Sequence, residues 1–152
     1  DASGSRGMVA GQVLDMEGEH KQLTLAELQT IHANKTGRLL AYPFIAAALI
    51  LELQADIGQL LEKIGKKLGL AFQVRDDILD LVADFEALGK TPQKDLVAEK
   101  STYPALLGLE ESKALLTSEL DACEDLLDQI TSACEFDPRA IKKLIEGLRI
   151  DG

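Results

Sequence analysis

The chain has 152 residues, of which 46% are hydrophobic, and this suits one folded domain with a hydrophobic core. Aromatic residues make up only 4% and tryptophan is absent, so the composition favours helices over strands. The formal net charge of -10 argues against nucleic acid or an anionic membrane surface as a partner, because both are bound through lysine and arginine.

The sequence carries no membrane-spanning pattern and no cysteine motif for metal. The longest apolar run, residues 39–51, is too short to cross a bilayer and contains Pro43. Cys123 and Cys134 stand eleven residues apart without a metal-ligand pattern, which favours reduced structural thiols. We therefore expect a soluble, cytoplasmic protein.

Hydrophobic residues recur at helical spacing along most of the chain, which predicts an all-α fold. Thr24 and Glu27 form a capping box that starts a helix, and this helix is expected to stop near residues 34–37. Pro43 is tolerated only near the first turn of a helix or at a kink. The segments predicted here are a short helix over residues 8–16, a helix from about Leu25 to Ala33, and an apolar core segment over residues 39–54.

The second part of the chain is predicted to contain one long helix and three later ones. The apolar pattern resumes after residues 56–58 and continues without a breaker to about Leu88. Between Gly89 and Thr102 the periodicity disappears and lysines accumulate, which is typical of a functional loop. The later helices are expected to start at Thr102-Tyr103-Pro104, to cover residues 109–131, and to start again at Asp137-Pro138.

The long predicted helix carries three aspartates, Asp76, Asp77 and Asp80, on an otherwise apolar surface. At about 100° per residue, they fall with Gln73 and Asp84 into an arc of roughly 100°. Because a helix that is apolar on most sides belongs inside a protein, we expect this stripe to line a cavity. Crowded carboxylates need cations, and Mg²⁺ suits them because it takes oxygen ligands and shares itself with substrate phosphates. Asp76 and Asp80 have the better spacing for direct ligands, and Asp77 either adds a third ligand or supports them.

Three lysines, Lys35, Lys90 and Lys100, lie at segment ends or in predicted loops, where they could converge on a phosphate. Each one taken singly is an ordinary surface lysine, and a solvated acidic face is the competing interpretation of the aspartates. Gln73, one turn before Asp76, either offers its amide dipole to a reacting centre or forms a hydrogen bond within the stripe. The residues by themselves predict a helical protein with a Mg²⁺-diphosphate site.

Five stretches of the sequence together carry a family resemblance. They are Gly11 to Asp15, Lys35 to Gly37, Gly69 to Asp80, Leu88 to Lys90 and Lys100 to Glu110. In this order and spacing they resemble the C-terminal half of trans-isoprenyl diphosphate synthases, most of all bacterial farnesyl diphosphate synthases. The resemblance implies that residues 1–152 are the C-terminal portion of one domain, a helical bundle around a central cavity, whose N-terminal half is absent.

The resemblance also implies roles for single residues. Asp76, Asp77 and Asp80 match the family's second aspartate-rich motif, which holds Mg²⁺ against the diphosphate of the allylic substrate. The other implied roles are diphosphate contacts at Lys35, Lys90 and Lys100, positions near the reacting carbons at Thr36 and Gln73, and cavity-wall positions at Gln12 and Asp15. Lys35, Thr36 and Gln73 are therefore the expected catalytic residues.

The reaction that the resemblance implies is Mg²⁺-dependent ionisation and condensation. An allylic diphosphate, dimethylallyl or geranyl, loses its diphosphate and is attacked by isopentenyl diphosphate, giving farnesyl diphosphate and pyrophosphate. Family members are commonly homodimers. Because the first aspartate-rich motif and the isopentenyl diphosphate site belong to the N-terminal half, we expect this chain alone not to turn over.

Two departures from the family and two other hypotheses accompany this interpretation. Gln93 replaces a residue that is commonly glycine, and residues 148–152 lack the basic ending of many members. A second hypothesis, from another class, is a non-catalytic helical subunit or interaction module that retains the family fold. A terpene cyclase fits less well, because the matches at Lys35 to Gly37 and Lys100 to Pro104 favour the synthase.

Overall fold

The computed structural model describes residue 4 and residues 8–18, 23–88 and 101–150, and the described chain is almost entirely helical. No strand occurs in these ranges, which confirms the all-α prediction. Within them, no helix combines the length and the apolar character needed to cross a membrane. The elements are α1 (Met8–Gly18), α2 (Leu25–His32), a π-helix (Ala33–Gly37), α3 (Arg38–Ile50), α4 (Ala55–Leu88), α5 (Tyr103–Leu107), α6 (Leu109–Ala133) and α7 (Arg139–Leu148).

The predicted break near residues 34–37 is wrong, because the chain stays helical there. α2 continues into the five-residue π-helix, and the π-helix continues into α3. At its end the Arg38 backbone N–H donates to the Ala33 carbonyl, five residues back instead of four. The wider turn changes the period of the side chains without ending the helix. A prediction that assumes a period of 3.6 residues therefore places a break at this π-helix.

α4 is the central element and the longest described helix, with 34 residues. α6 packs along one of its sides in the antiparallel direction. The Lys67 ammonium lies 2.9 Å from a Glu119 carboxylate oxygen, and the Cys123 thiol lies 3.9 Å from the Ile64 carbonyl oxygen. The buried residues that α4 contributes recur every three or four positions: Ile57, Leu61, Ile64, Leu68, Ala71, Val74 and Ile78.

The other side of α4 approaches the π-helix and α3 so closely that only glycine fits. A Cβ atom added to Gly69 would stand 2.7 Å from the Gly37 Cα atom, and one added to Gly65 would stand 2.7 Å from the Ala41 Cα atom. As the residue number rises along α4 it falls along the partner, so the two run antiparallel. This packing brings the π-helix level with the part of α4 that leads to Gln73.

Helix starts agree with the capping residues predicted from the sequence. The Thr24 hydroxyl accepts from the Glu27 backbone N–H at 3.3 Å, and the Glu27 carboxylate accepts from the Thr24 backbone N–H at 2.8 Å. Thr102 caps α5, with proline in its first turn. α7 starts one residue later than predicted, at Arg139, and the Asp137 carboxylate accepts from the Arg139 backbone N–H at 3.1 Å. The capping residues in the sequence therefore predict these helix starts to within one residue.

We expect Gly69→Ala to lower the free energy of unfolding by about 1–3 kcal/mol, because the new methyl group meets the backbone of Gly37, which cannot rotate away. Gly147→Ala is the matched control, since nothing lies within 4 Å of the added Cβ atom. That variant should gain about 0.5–1 kcal/mol from helix propensity. Urea unfolding of the purified variants measures both effects, and a neutral Gly69→Ala would contradict the backbone contact.

Candidate active site

The polar face of α4 carries the residues that the sequence predicts to bind a metal ion. Asp76, Asp80 and Asp84 are exposed, whereas Gln73 and Asp77 are partly buried. The expectation that this stripe lines a cavity stays a prediction. The packing of α3 and α6 covers two other sides of α4 and leaves the aspartate face open.

Asp77 differs from Asp76 and Asp80 because its carboxylate forms a hydrogen bond with another helix, α5. Its Oδ2 atom accepts a hydrogen bond from the backbone N–H of Tyr103 at 2.9 Å. Tyr103 is fully buried, and its ring lies 5.4 Å from the ring of His32, centroid to centroid. Asp77 thus joins α4 to the first residue of α5.

The surroundings of Asp77 make its ionisation unfavourable. The pKa of this carboxyl is raised to about 6, chiefly by burial, and the negative charges of Asp80 and Asp76 act in the same direction. The hydrogen bond from the Tyr103 N–H acts in the opposite direction and lowers the pKa. Loss of water around the carboxylate therefore outweighs the single amide donor.

The carboxylates of these aspartates are suitable ligands for Mg²⁺, at a site where the protein supplies only a few of the ligands. Among the residues that the structure describes, no three histidine, cysteine or acidic side chains stand close enough together to hold a metal ion. Mg²⁺ commonly takes only one or two carboxylates and completes its octahedron with waters and substrate phosphate oxygens. Asp76 and Asp80, exposed and one turn apart, offer a pair of this kind.

A groove of about 360 Å³ between α1 and the π-helix brings three other predicted residues together. Gln12, Lys35 and Thr36 line it, with apolar walls from Val9, Val13 and Leu39. The two elements touch through backbone, since a Cβ atom added to Gly11 would collide with the backbone nitrogen of Lys35. The π-helix is thus held directly against α1 at the position of Lys35. π-turns occur frequently at functional sites.

A larger groove of about 900 Å³ was not predicted from the sequence. It runs between α2, the π-helix, α3 and α4. Leu70 and Lys66 contribute to its lining and precede Gln73 by three and seven residues, so they share its face of α4. The sequence contains one signal for this groove. Three small residues, Ala33, Gly37 and Ala41, are spaced four apart and leave space along one side of a helix. All three line the groove.

The remaining predicted site residues fall outside what the structure describes. Lys90, Lys100 and Gln93 lie in the segment 89–100, and their predicted roles stay predictions. Asp15 is part of α1, but its side chain is not described. The structure therefore gathers Gln12, Lys35 and Thr36 in one groove and Gln73, Asp76, Asp77 and Asp80 on one helix face.

In Mg²⁺-free buffer, we expect the free energy of unfolding to fall as the pH rises from about 4 to about 6. The pKa of Asp77 is 3.8 in its ordinary state and about 6 in the folded protein, so the folded state holds this proton more tightly. That contribution is complete below the unfolded pKa and is lost as Asp77 ionises in the folded protein. Urea unfolding across this pH range measures it.

Asp77→Asn should remove this part of the pH dependence, because the amide does not ionise. Asp84→Asn is the matched control, an exposed carboxylate two turns further along the same helix, and it should keep the wild-type slope. A slope that is the same in Asp77→Asn as in the wild type would contradict the assignment to Asp77.

Comparison with known proteins gives a family and several relatives. The chain matches the polyprenyl synthetase family over residues 2–136. It is 52% identical over 126 residues to a farnesyl diphosphate synthase of Micrococcus luteus, covering 83% of this chain and 43% of the relative. To the farnesyl diphosphate synthase of Geobacillus stearothermophilus it is 48% identical over 123 residues, covering 81% and 41%. The chain thus spans less than half the length of these relatives.

Two solved structures of similar fold are those of a geranyltransferase and an FPP/GFPP synthase. A geranyltransferase from Helicobacter pylori, complexed with magnesium and isoprenyl diphosphate, superposes with a TM-score of 0.79 and 31% identity. The match covers 97% of this chain and 49% of that one. An FPP/GFPP synthase from Zymomonas mobilis gives a TM-score of 0.76 and 27% identity, covering 97% and 47%.

Proposed function

The chain belongs to the polyprenyl synthetase family, and from this membership we propose that it carries part of the active site of a Mg²⁺-dependent prenyltransferase of the farnesyl diphosphate synthase type. The observation that carries the proposal is the exposed pair Asp76 and Asp80, one turn apart on the helix whose other side contributes seven buried hydrophobic residues to the core. The presence of magnesium and isoprenyl diphosphate in the Helicobacter pylori relative supports it. Residues 1–152 would supply the C-terminal part of the catalytic domain.

The proposed reaction joins an allylic diphosphate to isopentenyl diphosphate. The carbon–oxygen bond to the allylic diphosphate breaks, and its electron pair leaves with pyrophosphate. The double bond of isopentenyl diphosphate forms the new carbon–carbon bond, and a proton passes to the released pyrophosphate. When bound, Mg²⁺ supplies positive charge that stabilises the leaving diphosphate, and Asp76 and Asp80 would hold it on α4.

Lys35, Thr36 and Gln73 have separate parts in the proposed mechanism. The Lys35 ammonium, in the groove beside α1, would bind a diphosphate oxygen and draw off negative charge. The Thr36 hydroxyl and the Gln73 amide oxygen would face the allylic carbons, where positive charge develops. Such fixed dipoles are effective because they need no reorganisation during the reaction. Lys90 and Lys100 complete the diphosphate site in this proposal.

The larger groove has apolar walls for the hydrocarbon part of the substrate, between polar side chains that include Arg38, Glu62 and Lys66. Ala41, Ile45 and Leu70 provide apolar lining, and Leu70 stands three residues before Gln73 on the same face of α4. Burying hydrocarbon is favourable by about 25 cal/mol per Å² of apolar surface. The charged end of a prenyl diphosphate would thus lie by the aspartates, and its chain would extend along α4 past Leu70.

We expect Asp76→Ala, made in the full-length protein, to reduce turnover by about 100-fold or more. The variant would remove a carboxylate that holds Mg²⁺, and the charge of Mg²⁺ stabilises the leaving diphosphate. Incorporation of radiolabelled isopentenyl diphosphate with geranyl diphosphate measures turnover, and circular dichroism checks that helicity is kept. Asp84→Ala, on the same helix face, should stay near the wild-type rate.

Two outcomes of this assay would count against the proposal. Normal turnover of Asp76→Ala would remove this residue from the metal site. A full-length wild-type protein without Mg²⁺-dependent turnover would favour the second hypothesis, a non-catalytic helical subunit that retains the family fold.

Lys35→Ala should raise the KM for the allylic diphosphate by about 10-fold to 100-fold, since a charged hydrogen bond contributes about 1.5–3 kcal/mol. Inhibition by inorganic pyrophosphate should weaken by a similar factor, which separates binding of the diphosphate from effects on the hydrocarbon chain. Lys63→Ala removes an exposed lysine of α4 and serves as the control. Unchanged pyrophosphate inhibition in Lys35→Ala would exclude Lys35 from the diphosphate site.

A further inference from the structure

Gly11 is the point at which α1 meets the backbone of the π-helix. A Cβ atom added to Gly11 would collide with the backbone nitrogen of Lys35 and would stand 2.6 Å from the Lys35 Cα atom. The next atom, at 2.8 Å, is the carbonyl carbon of Asn34. All three atoms belong to the backbone, so no side chain rotates away to make room for a methyl group. Glycine is therefore required at this position for α1 to lie where it does.

A second contact of the same kind holds the π-helix from α4. The atoms nearest to a Cβ atom added to Gly69 are the Cα atom, the carbonyl oxygen and the carbonyl carbon of Gly37, at 2.7, 3.5 and 3.6 Å. Lys35 and Gly37 are two residues apart, and residues at this spacing face roughly opposite sides of a helix. The π-helix therefore lies between two backbones, that of α1 at Lys35 and that of α4 at Gly37.

Both contacts lie next to the polar residues of the smaller groove. Gly11 directly precedes Gln12, and Gly37 directly follows Thr36. Gln12, Lys35 and Thr36 all line this groove. Because Gly11 touches the backbone nitrogen and the Cα atom of Lys35, a larger residue there would displace the atoms from which the lysine side chain extends. The position of the Lys35 ammonium thus depends on the backbone contact and not only on the rotamers of its own chain.

We propose that Gly11 and Gly69 are positioning residues that act through Lys35 and Thr36. With hydrogen as their side chains, they let α1 and α4 hold the backbone of the π-helix where both polar side chains reach the allylic diphosphate. This inference rests on the proposed function, which gives Lys35 and Thr36 their parts in the reaction. A displacement of about 1 Å in a catalytic group lowers turnover by up to about 100-fold, so the contact has a measurable consequence.

The test is a double-mutant cycle of Gly11→Ala and Lys35→Ala in the full-length protein, because such a cycle shows whether one residue acts through another. Titration calorimetry with inorganic pyrophosphate and Mg²⁺ measures binding of the diphosphate without turnover. Incorporation of radiolabelled isopentenyl diphosphate measures kcat and the KM for each substrate.

Two control variants separate positioning from a general loss of stability. Gly58→Ala is the matched glycine control, since its added Cβ atom would meet the Ala48 Cβ atom at 3.6 Å, an ordinary contact. Ile145→Val removes a methylene-sized volume from a fully buried side chain of α7 and lowers stability away from the π-helix. Both controls should bind pyrophosphate and turn over like the wild type.

Gly11→Ala should weaken pyrophosphate binding by about 10-fold and lower kcat by about 10-fold to 100-fold, because Lys35 and Thr36 are displaced. The KM for isopentenyl diphosphate should change by less than about twofold, since neither side chain is assigned a contact with that substrate. In the Lys35→Ala background, Gly11→Ala should weaken pyrophosphate binding by less than about twofold further, because the residue through which it acts is already gone.

An equal loss of pyrophosphate binding on Gly11→Ala with and without Lys35 would overturn the inference, and so would wild-type binding and turnover in the folded variant. If Gly11→Ala does not fold, Gly69→Ala takes its place in the cycle, because its methyl group presses on the π-helix from α4. Independent effects of Gly69→Ala and Lys35→Ala would then overturn the inference.

Failure of the proposed function gives a different pattern of results. A wild-type protein that neither binds pyrophosphate nor turns over would overturn the proposed function together with the inference. Unchanged pyrophosphate affinity in Lys35→Ala would remove Lys35 from the diphosphate site. When the wild type is active and Lys35→Ala is impaired, the cycle decides the role of the two glycines alone.

Discussion

The contact between Gly37 and Gly69 sets the position of the π-helix on α4. At this point two backbones touch with no side chain between them, and Gly11 brings α1 to the opposite side of the π-helix at Lys35 in the same manner. Such contacts do not relax by rotating a side chain, so any shift moves a whole helix. Lys35 and Thr36 are carried by a backbone segment that is clamped on both sides.

The π-helix also separates the two grooves. Lys35 and Thr36 line the smaller, α1-facing groove, whereas Ala33 and Gly37 line the larger one beside α4. Neighbouring residues of one short segment therefore contribute to two surfaces of different character.

Much of the fold could be predicted from the sequence because its determinants are local. The apolar period of α4, the Thr24–Glu27 capping box and the proline in the first turn of α5 each act within a few residues. The break expected near residue 34 was wrong because the wider π-turn has a different period. That the stripe lines a cavity stays a prediction, because helical periodicity does not specify which faces other elements cover.

Helical periodicity predicts which aspartates share a face of α4, but it does not predict which of them another element engages. Helical spacing groups Asp76, Asp77 and Asp80 on one arc, yet the Tyr103 N–H that engages Asp77 comes from 26 residues further along the chain. A tertiary hydrogen bond of this kind leaves no periodic signal. A cation on α4 would find fewer protein carboxylates than the six ligand positions that Mg²⁺ requires. In the proposed function the missing ligands come from water and from the diphosphate itself, so metal and substrate would each strengthen the binding of the other.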